Sequence, residues 1–233
     1  MRKQLFSAII GLWVAVAGGT QAQSDPVVLE LYTSQGCSSC PPADALLTSL
    51  ADREDVIALA LHVDYWDYIG WVDSFGDPAY TARQKAYARA ANKRMVYTPQ
   101  MIVGGKDHIV GHEPEEVAAT LQRHASQTNN PGVSLERRGQ SLNVTLEPSG
   151  QVLGPLVVQL VRYTPSSTVN IRRGENAGRS ITYSNIVTSW ENIRNWDGRR
   201  ALSFPVPALG SDPVVVIVQK ANHGAIVASA RLR

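Results

Sequence analysis

Hydrophobic and polar positions alternate in two textures along the chain. In the first half, continuous apolar runs are interleaved with helical spacing. Val27-Val28-Leu29-Glu30-Leu31-Tyr32 reads as a buried strand and Ala43 to Leu50 as a helix. Val56 to Asp64 is a second unbroken apolar run, the pattern of a strand covered on both faces, with His62 in or beside its core and its ring satisfied by a neighbour. Tyr65 to Pro78 carries Trp66, Tyr68, Trp71 and Phe75 without a clear period and reads as a packed loop or short helical turn. Tyr80 to Arg94 places Ala82, Ala86, Tyr87, Ala90 and Ala91 on one helix face. Tyr97 to Val110 reads as a hairpin around Gly104-Gly105, and a last helix opens near Gly111–Glu116 and runs to about His124.

Beyond Asn129-Asn130-Pro131-Gly132 the helical period disappears. Val133–Arg137, Ser141–Leu146, Leu156–Tyr163, Val169–Arg172, Ile181–Ser189, Ala201–Val206, Val214–Lys220 and Ala225–Leu232 read as short strands, with Asn222-His223-Gly224 as the last turn. That succession predicts a β-sandwich. Between two of the strands, Arg172-Arg173-Gly174-Glu175-Asn176-Ala177-Gly178-Arg179 forms a polar loop. Its ordinary reading is a solvated connection; three arginines also suit an anionic partner.

Candidate chemistry centres on Gly36-Cys37-Ser38-Ser39-Cys40-Pro41-Pro42, between the first strand and the first helix. Cys37 and Cys40 are the only cysteines. A helix N-terminus stabilises negative charge, so a cysteine there ionises more readily, and the thiolate is the attacking species. Cys37 is the expected nucleophile and Cys40 the resolving thiol. The prolines suit first-turn positions, which have no intrahelical N–H bond to lose. An inert bridge and half of a metal site are the alternatives. So short a loop removes little chain entropy, and no second CxxC or tight His pair completes a zinc site. His108 and His112 straddle a strand end and a glycine, and no metal is assigned.

The element order β-α-β-α-β-β-α, the CxxC at the first helix and the proline opening the third strand resemble a thioredoxin-fold domain. More narrowly, Glu-Leu-Tyr-Thr-Ser-Gln-Gly-Cys-Ser-Ser-Cys-Pro-Pro-Ala-Asp, His62 to Asp67 and Tyr97-Thr98-Pro99-Gln100 resemble a secreted bacterial thioredoxin-like family known mainly as a domain of unknown function. The resemblance implies a thioredoxin-like domain over 25–128, followed by an all-β, sandwich-like domain over 131–233. It implies a cis bond before Pro99, with Pro99 facing the disulfide and shaping a groove in which Thr98 binds an extended substrate. Glu30 approximates the superfamily's buried carboxylate, making it the candidate proton relay to Cys40; a strand carboxylate paired elsewhere is the alternative. Two departures leave the direction of electron flow open: Gly36 replaces the usual tryptophan, and Ser38-Ser39 replaces Gly-Pro.

Composition changes this picture at one end. Residues 1–22 have a basic start, an apolar centre and Thr20-Gln21-Ala22, the pattern of a cleaved signal peptide. The formal charge of +2 then leaves with Arg2 and Lys3, and the near-neutral remainder gives no support for nucleic-acid binding. The expectation is a secreted, periplasmic thiol–disulfide oxidoreductase without a cofactor, since the dithiol carries the electrons. Its partners would be protein thiols or disulfides and a redox partner, with no membrane span after cleavage and a dimer contact through the β-rich half. A metal-binding chaperone or an adaptor protein is the alternative.

Overall fold

The computed structural model describes residues 26–127, 130–151 and 154–233. The signal peptide expected over residues 1–22 lies outside them.

In chain order the elements are β1 (Val27–Thr33), α1 (Pro41–Leu50), β2 (Val56–His62), a single 3₁₀ turn (Asp67–Ile69), α2 (Pro78–Ala90), β3 (Gln100–Val103), β4 (Asp107–Ile109) and α3 (Pro114–Ala125). There follow β5 (Gly132–Arg138), β6 (Ser141–Glu147), β7 (Leu156–Asn170), β8 (Ser180–Trp196), β9 (Leu202–Pro207), β10 (Val214–Lys220) and β11 (Ile226–Leu232). Each α-helix opens with proline, where the missing N–H costs no intrahelical bond. Asp77 also caps α2, its side chain accepting from the Ala79 N–H at 2.7 Å.

The expectation of a thioredoxin-like β-α-β-α-β-β-α domain followed by a β-sandwich is overturned. The described chain is mostly β, and its main sheet has eight strands in the order β11-β10-β7-β8-β2-β1-β3-β4. The β1–β2 and β2–β8 pairs are parallel and the others antiparallel. Only β5, β6 and β9 form a second sheet. The junction lies at Ala60 on β2, which pairs with Ile186 on β8. Next to it, Asn185 takes φ 48° and its Nδ2 donates to the Ala58 carbonyl at 2.9 Å, so a side chain extends the ladder where the strand bends. β7 and β8 are each far longer than their apolar runs, because the polar stretch Thr164 to Thr168 continues the pairing from Thr164–Ile186 to Thr168–Thr182.

Side-chain parity sorts the core. On β1, Leu29 and Leu31 face α1 and α3, packing with Ala43, Leu47, Val117 and Leu121. Val28 and Tyr32 face α2, packing with Tyr80 and Tyr87, and that layer continues along Val161, Val187, Val215 and Ile217. The three-stranded sheet covers the opposite side of the outer strands, where Leu142, Val144 and Phe204 meet Val158, Val216 and Val218. Apolar burial on both sides accounts for the unbroken apolar texture of β10.

The β3–β4 turn braces this sheet from its end. Gly104 and Gly105 both have positive φ, 58° and 69°, and Lys106 N–H closes the turn onto the Val103 carbonyl. A Cβ at Gly105 would lie 2.7 Å from the Gly224 carbonyl oxygen of the β10–β11 turn. Gly105→Ala is therefore expected to cost about 2 kcal/mol or more, combining left-handed strain with a backbone clash. Urea denaturation measures it, and a loss under about 0.5 kcal/mol would show that the turns separate freely.

Candidate functional site

At the end of β1 the chain turns through Ser34-Gln35-Gly36 into the cysteines. Gly36 N–H donates to the Ser34 hydroxyl at 3.1 Å and Cys37 N–H to the Ser34 carbonyl at 3.1 Å. Gly36 has little room for a side chain: a Cβ there would lie 3.2 Å from the Trp66 Cβ and 3.3 Å from the Ile69 Cδ1. Cys37 and Cys40 are joined in a disulfide, with Cα atoms 5.4 Å apart. Cys40 is the N-cap of α1, and its carbonyl accepts from the Ala43 and Asp44 N–H groups. Cys37 is 2% exposed and Cys40 fully buried, while Ser38 and Ser39 are exposed. The Ser39 hydroxyl lies 3.5 Å from the Cys37 sulfur.

Beneath this helix sits a buried polar cluster absent from the sequence reading. Asp44 follows Cys40 by four residues, hence lies one turn along on the same helix face. Its Oδ1 accepts from the Thr33 hydroxyl at 2.8 Å. Thr33 is the register partner of His62 across the parallel β1–β2 pair. The His62 Nδ1 lies 2.8 Å from the Asp73 Oδ2, and that oxygen also accepts from the Gln35 N–H at 2.7 Å. Phe75 and Tyr183 pack their rings against His62 at centroid distances of 5.2 and 4.9 Å. Asp44, His62 and Asp73 are 4%, 0% and 4% exposed. The Asp44 Oδ2 and the His62 Nε2 are buried without a hydrogen-bond partner in the protein.

The two carboxyls are pulled apart. Burial pushes Asp44 up to about 7, against the opposing influence of His62 and Thr33. Burial also acts on Asp73, but the His62 hydrogen bond and charge and the Gln35 and Phe75 N–H groups outweigh it and hold Asp73 below its ordinary value.

Glu30 is placed elsewhere. It lies on the α2 side of β1, fully buried, where Arg83 grips it with Nε at 2.8 Å and Nη2 at 2.9 Å. The Tyr87 and Tyr32 hydroxyls donate to it at 2.7 and 2.9 Å. The Arg83 guanidinium stacks 3.7 Å from the Trp190 ring centroid. The structure thus gives Glu30 the paired-carboxylate arrangement and does not bring it to the disulfide. Thr98 and Pro99 reach the cysteine loop through one intermediary: Trp66, packed on Gly36, donates from Nε1 to the Thr98 hydroxyl at 2.8 Å. The Thr98-Pro99 bond is cis and Pro99 is buried.

The β7–β8 loop supplies the remaining contact. Asn176 is 1% exposed, and its Nδ2 donates to the carbonyls of Gln35 at 3.0 Å and Cys37 at 2.9 Å. A residue of the second half therefore holds the backbone on both sides of Gly36. No local pattern marks it beforehand; Asp44 had a readable cue in its spacing from Cys40. Two cavities, of about 930 Å³ beside Trp196 and about 710 Å³ beside Trp190, have neither cysteine in their walls. Among the described residues, no three His, Cys, Asp or Glu side chains group as metal ligands, and no helix is long and apolar enough to cross a membrane.

The family model of DUF1223, a protein of unknown function, matches residues 28–219, a span that takes in the cysteine loop, the Asp44 cluster and Asn176. The chain belongs to this family. It is 32% identical to a protein of Agrobacterium tumefaciens whose X-ray structure came from structural genomics. That match has a TM-score of 0.77 and covers 91% of this chain and 96% of the other. HBP35 of Porphyromonas gingivalis is similar in fold, with a TM-score of 0.60 at 15% identity over 90% of this chain and 75% of that one. No curated protein matches the chain.

Proposed function

We propose that this DUF1223 protein is a thiol–disulfide oxidoreductase working through Cys37 and Cys40 in an oxidising compartment such as the periplasm. One observation carries the reading: the only two cysteines are joined at the mouth of a helix, one turn before a buried carboxyl raised to about 7. A substrate thiolate attacks the Cys37 sulfur, the Cys37–Cys40 bond breaks, and Cys40 leaves as a thiolate. A second substrate thiolate then displaces Cys37, releasing the substrate disulfide and leaving both cysteines reduced; the reverse sequence, starting from the reduced cysteines, reduces a substrate disulfide. Asp44 takes over the relay role expected of Glu30. Protonated, it supplies the proton that the departing Cys40 needs, and a pKa near the working pH suits both directions.

Entry is from the Ser38-Ser39 side, where the backbone is open to solvent. The proposed partners are protein thiols or disulfides, with Thr98 and Pro99 beyond Trp66 forming the flank of the approach. Cys40→Ser is expected to accumulate mixed disulfides through Cys37 when a scrambled-disulfide protein or glutathione disulfide is supplied, whereas Cys37→Ser accumulates none. Mass spectrometry after acid quenching reads the adducts. Adducts at Cys40 alone would reverse the assignment, and none at either cysteine would remove the reading.

A further inference from the structure

We infer that the loop Ile171–Arg179 makes this disulfide selective for thiols carried on anions, such as a thiol close to a carboxylate or sulfonate. The inference rests on the redox reading and names the substrate class of the same site.

The loop is built as a fixed platform. Ile171 is buried, its N–H donates to the Arg179 carbonyl at 2.9 Å, and Gly178 N–H returns to the Ile171 carbonyl at 2.8 Å. Asn176 pins the middle of the loop to the carbonyls flanking Gly36, and Arg179 Nη1 donates to the Asn176 Oδ1 at 3.1 Å. Gly174 packs against Trp71, whose Nε1 donates to the Gln35 Oε1 at 2.8 Å. A mobile solvated loop has no need of such anchoring; here it fixes the loop that carries Arg172 and Arg173 to the backbone around Gly36.

Charge then points outward. Arg172, Arg173 and Arg179 are exposed, and among the described residues none has a carboxylate within 4 Å. Glu175 is the only acidic residue in the loop, leaving it a net positive charge of two. Asp44, one helical turn beyond Cys40, and Asp73, which accepts from the Gln35 N–H, are both buried, so neither is a surface carboxylate. A fixed cationic rim beside a reactive centre concentrates anions there and raises their encounter rate. The arriving thiolate attacks Cys37, Cys40 departs as the thiolate, and the thiol itself is the reductant.

The test uses three small thiols: 2-mercaptoethanesulfonate, 2-mercaptoethanol and cysteamine. Reduction of the full chain is followed by alkylation and mass at an ionic strength of about 10 mM, where the screening length is about 30 Å. For each thiol the rate on a variant is divided by its rate on the unsubstituted protein, which cancels intrinsic thiol reactivity. Arg172→Glu/Arg173→Glu is expected to lower the ratio about tenfold for the sulfonate, leave it near one for 2-mercaptoethanol and raise it for cysteamine. At about 1 M salt, with screening within about 3 Å, the three ratios should converge. Arg199→Glu, beyond the far end of the long strand β8, should leave all three near one. A loosened loop would raise all three ratios together, and their order would still report charge. Equal ratios for the three thiols overturn the anion preference while leaving the redox reading intact. Reduction by none of them overturns both.

Discussion

Arg83→Met is expected to cost about 3–5 kcal/mol of folding stability, the range for removing one partner of a buried ion pair. The substitution keeps the aliphatic stem and removes both bonds to Glu30, which is fully buried. What remains for that carboxylate is the two phenols. Burial and the Glu30 charge push the Tyr32 and Tyr87 hydroxyls well above their ordinary range, so they stay protonated and keep donating. Two neutral donors do not replace a bidentate guanidinium. Gln219, which joins the network by donating to Tyr87 Oη at 2.7 Å, extends the disturbance to β10. Glu30→Gln/Arg83→Met should recover most of the loss, because no buried charge is then left unpaired. Urea denaturation of both variants decides the matter. A single-variant loss under about 1 kcal/mol would mean that water reaches Glu30.

Asp44→Asn is expected to turn a pH-dependent stability into a flatter one. Asp44 ionises near 3.8 when unfolded and near 7 when folded, since burial dominates its environment. Between those values the folded protein holds a proton that the unfolded chain has released, so stability falls as pH rises. Below about pH 4 both states are protonated and the penalty vanishes; above about pH 7 it is complete, at about 4 kcal/mol for a shift of about three units. Asparagine mimics the neutral acid and keeps the Oδ1 that accepts from the Thr33 hydroxyl. Relative to the unsubstituted protein, the variant should gain about 4 kcal/mol between pH 4 and pH 8. Asp73 acts in another window. Its lowered folded pKa gives stability present above the unfolded value and lost as pH falls through the folded one. A variant-minus-parent difference that stays constant from pH 4 to 8 would show Asp44 already ionised throughout. If Asp44 also serves Cys40, the same substitution should flatten the pH profile of disulfide reduction over this window.

The local elements of the first half are legible because each carries its own period, and the helix starts are signalled by Pro41, Pro78 and Pro114. The cysteine pair is legible for the same reason: its meaning lies in two nearby residues and the helix that follows. What escapes is long-range pairing. Nothing around Ala60 or Ile186 announces that they will meet in a parallel bridge, so the later strands read as a separate sandwich. One cue was present in Val214 to Val218, whose lack of polar alternation suits a strand covered on both faces better than a solvent-faced sandwich strand. Glu30 shows the same limit on a smaller scale. Alternation places it opposite Leu29 and Leu31, but which of those faces α1 covers is decided by packing. Asn176 is the extreme case, an ordinary loop amide whose role exists only once β7 and β8 have carried it to the cysteines.

The β2–β8 joint also has a consequence for how the chain comes into being. During synthesis β2 is complete long before Ser180 appears, and until then its outer edge offers unpaired N–H and C=O groups along an apolar strand. Such an edge is a template for pairing with a neighbouring chain. The nascent protein therefore passes through a period in which its first half is shaped but sticky, and the danger ends only when the hairpin of β7 and β8 docks. The same event brings Asn176 onto the cysteine loop, so the backbone on both sides of Gly36 is fixed at the moment the sheet is closed.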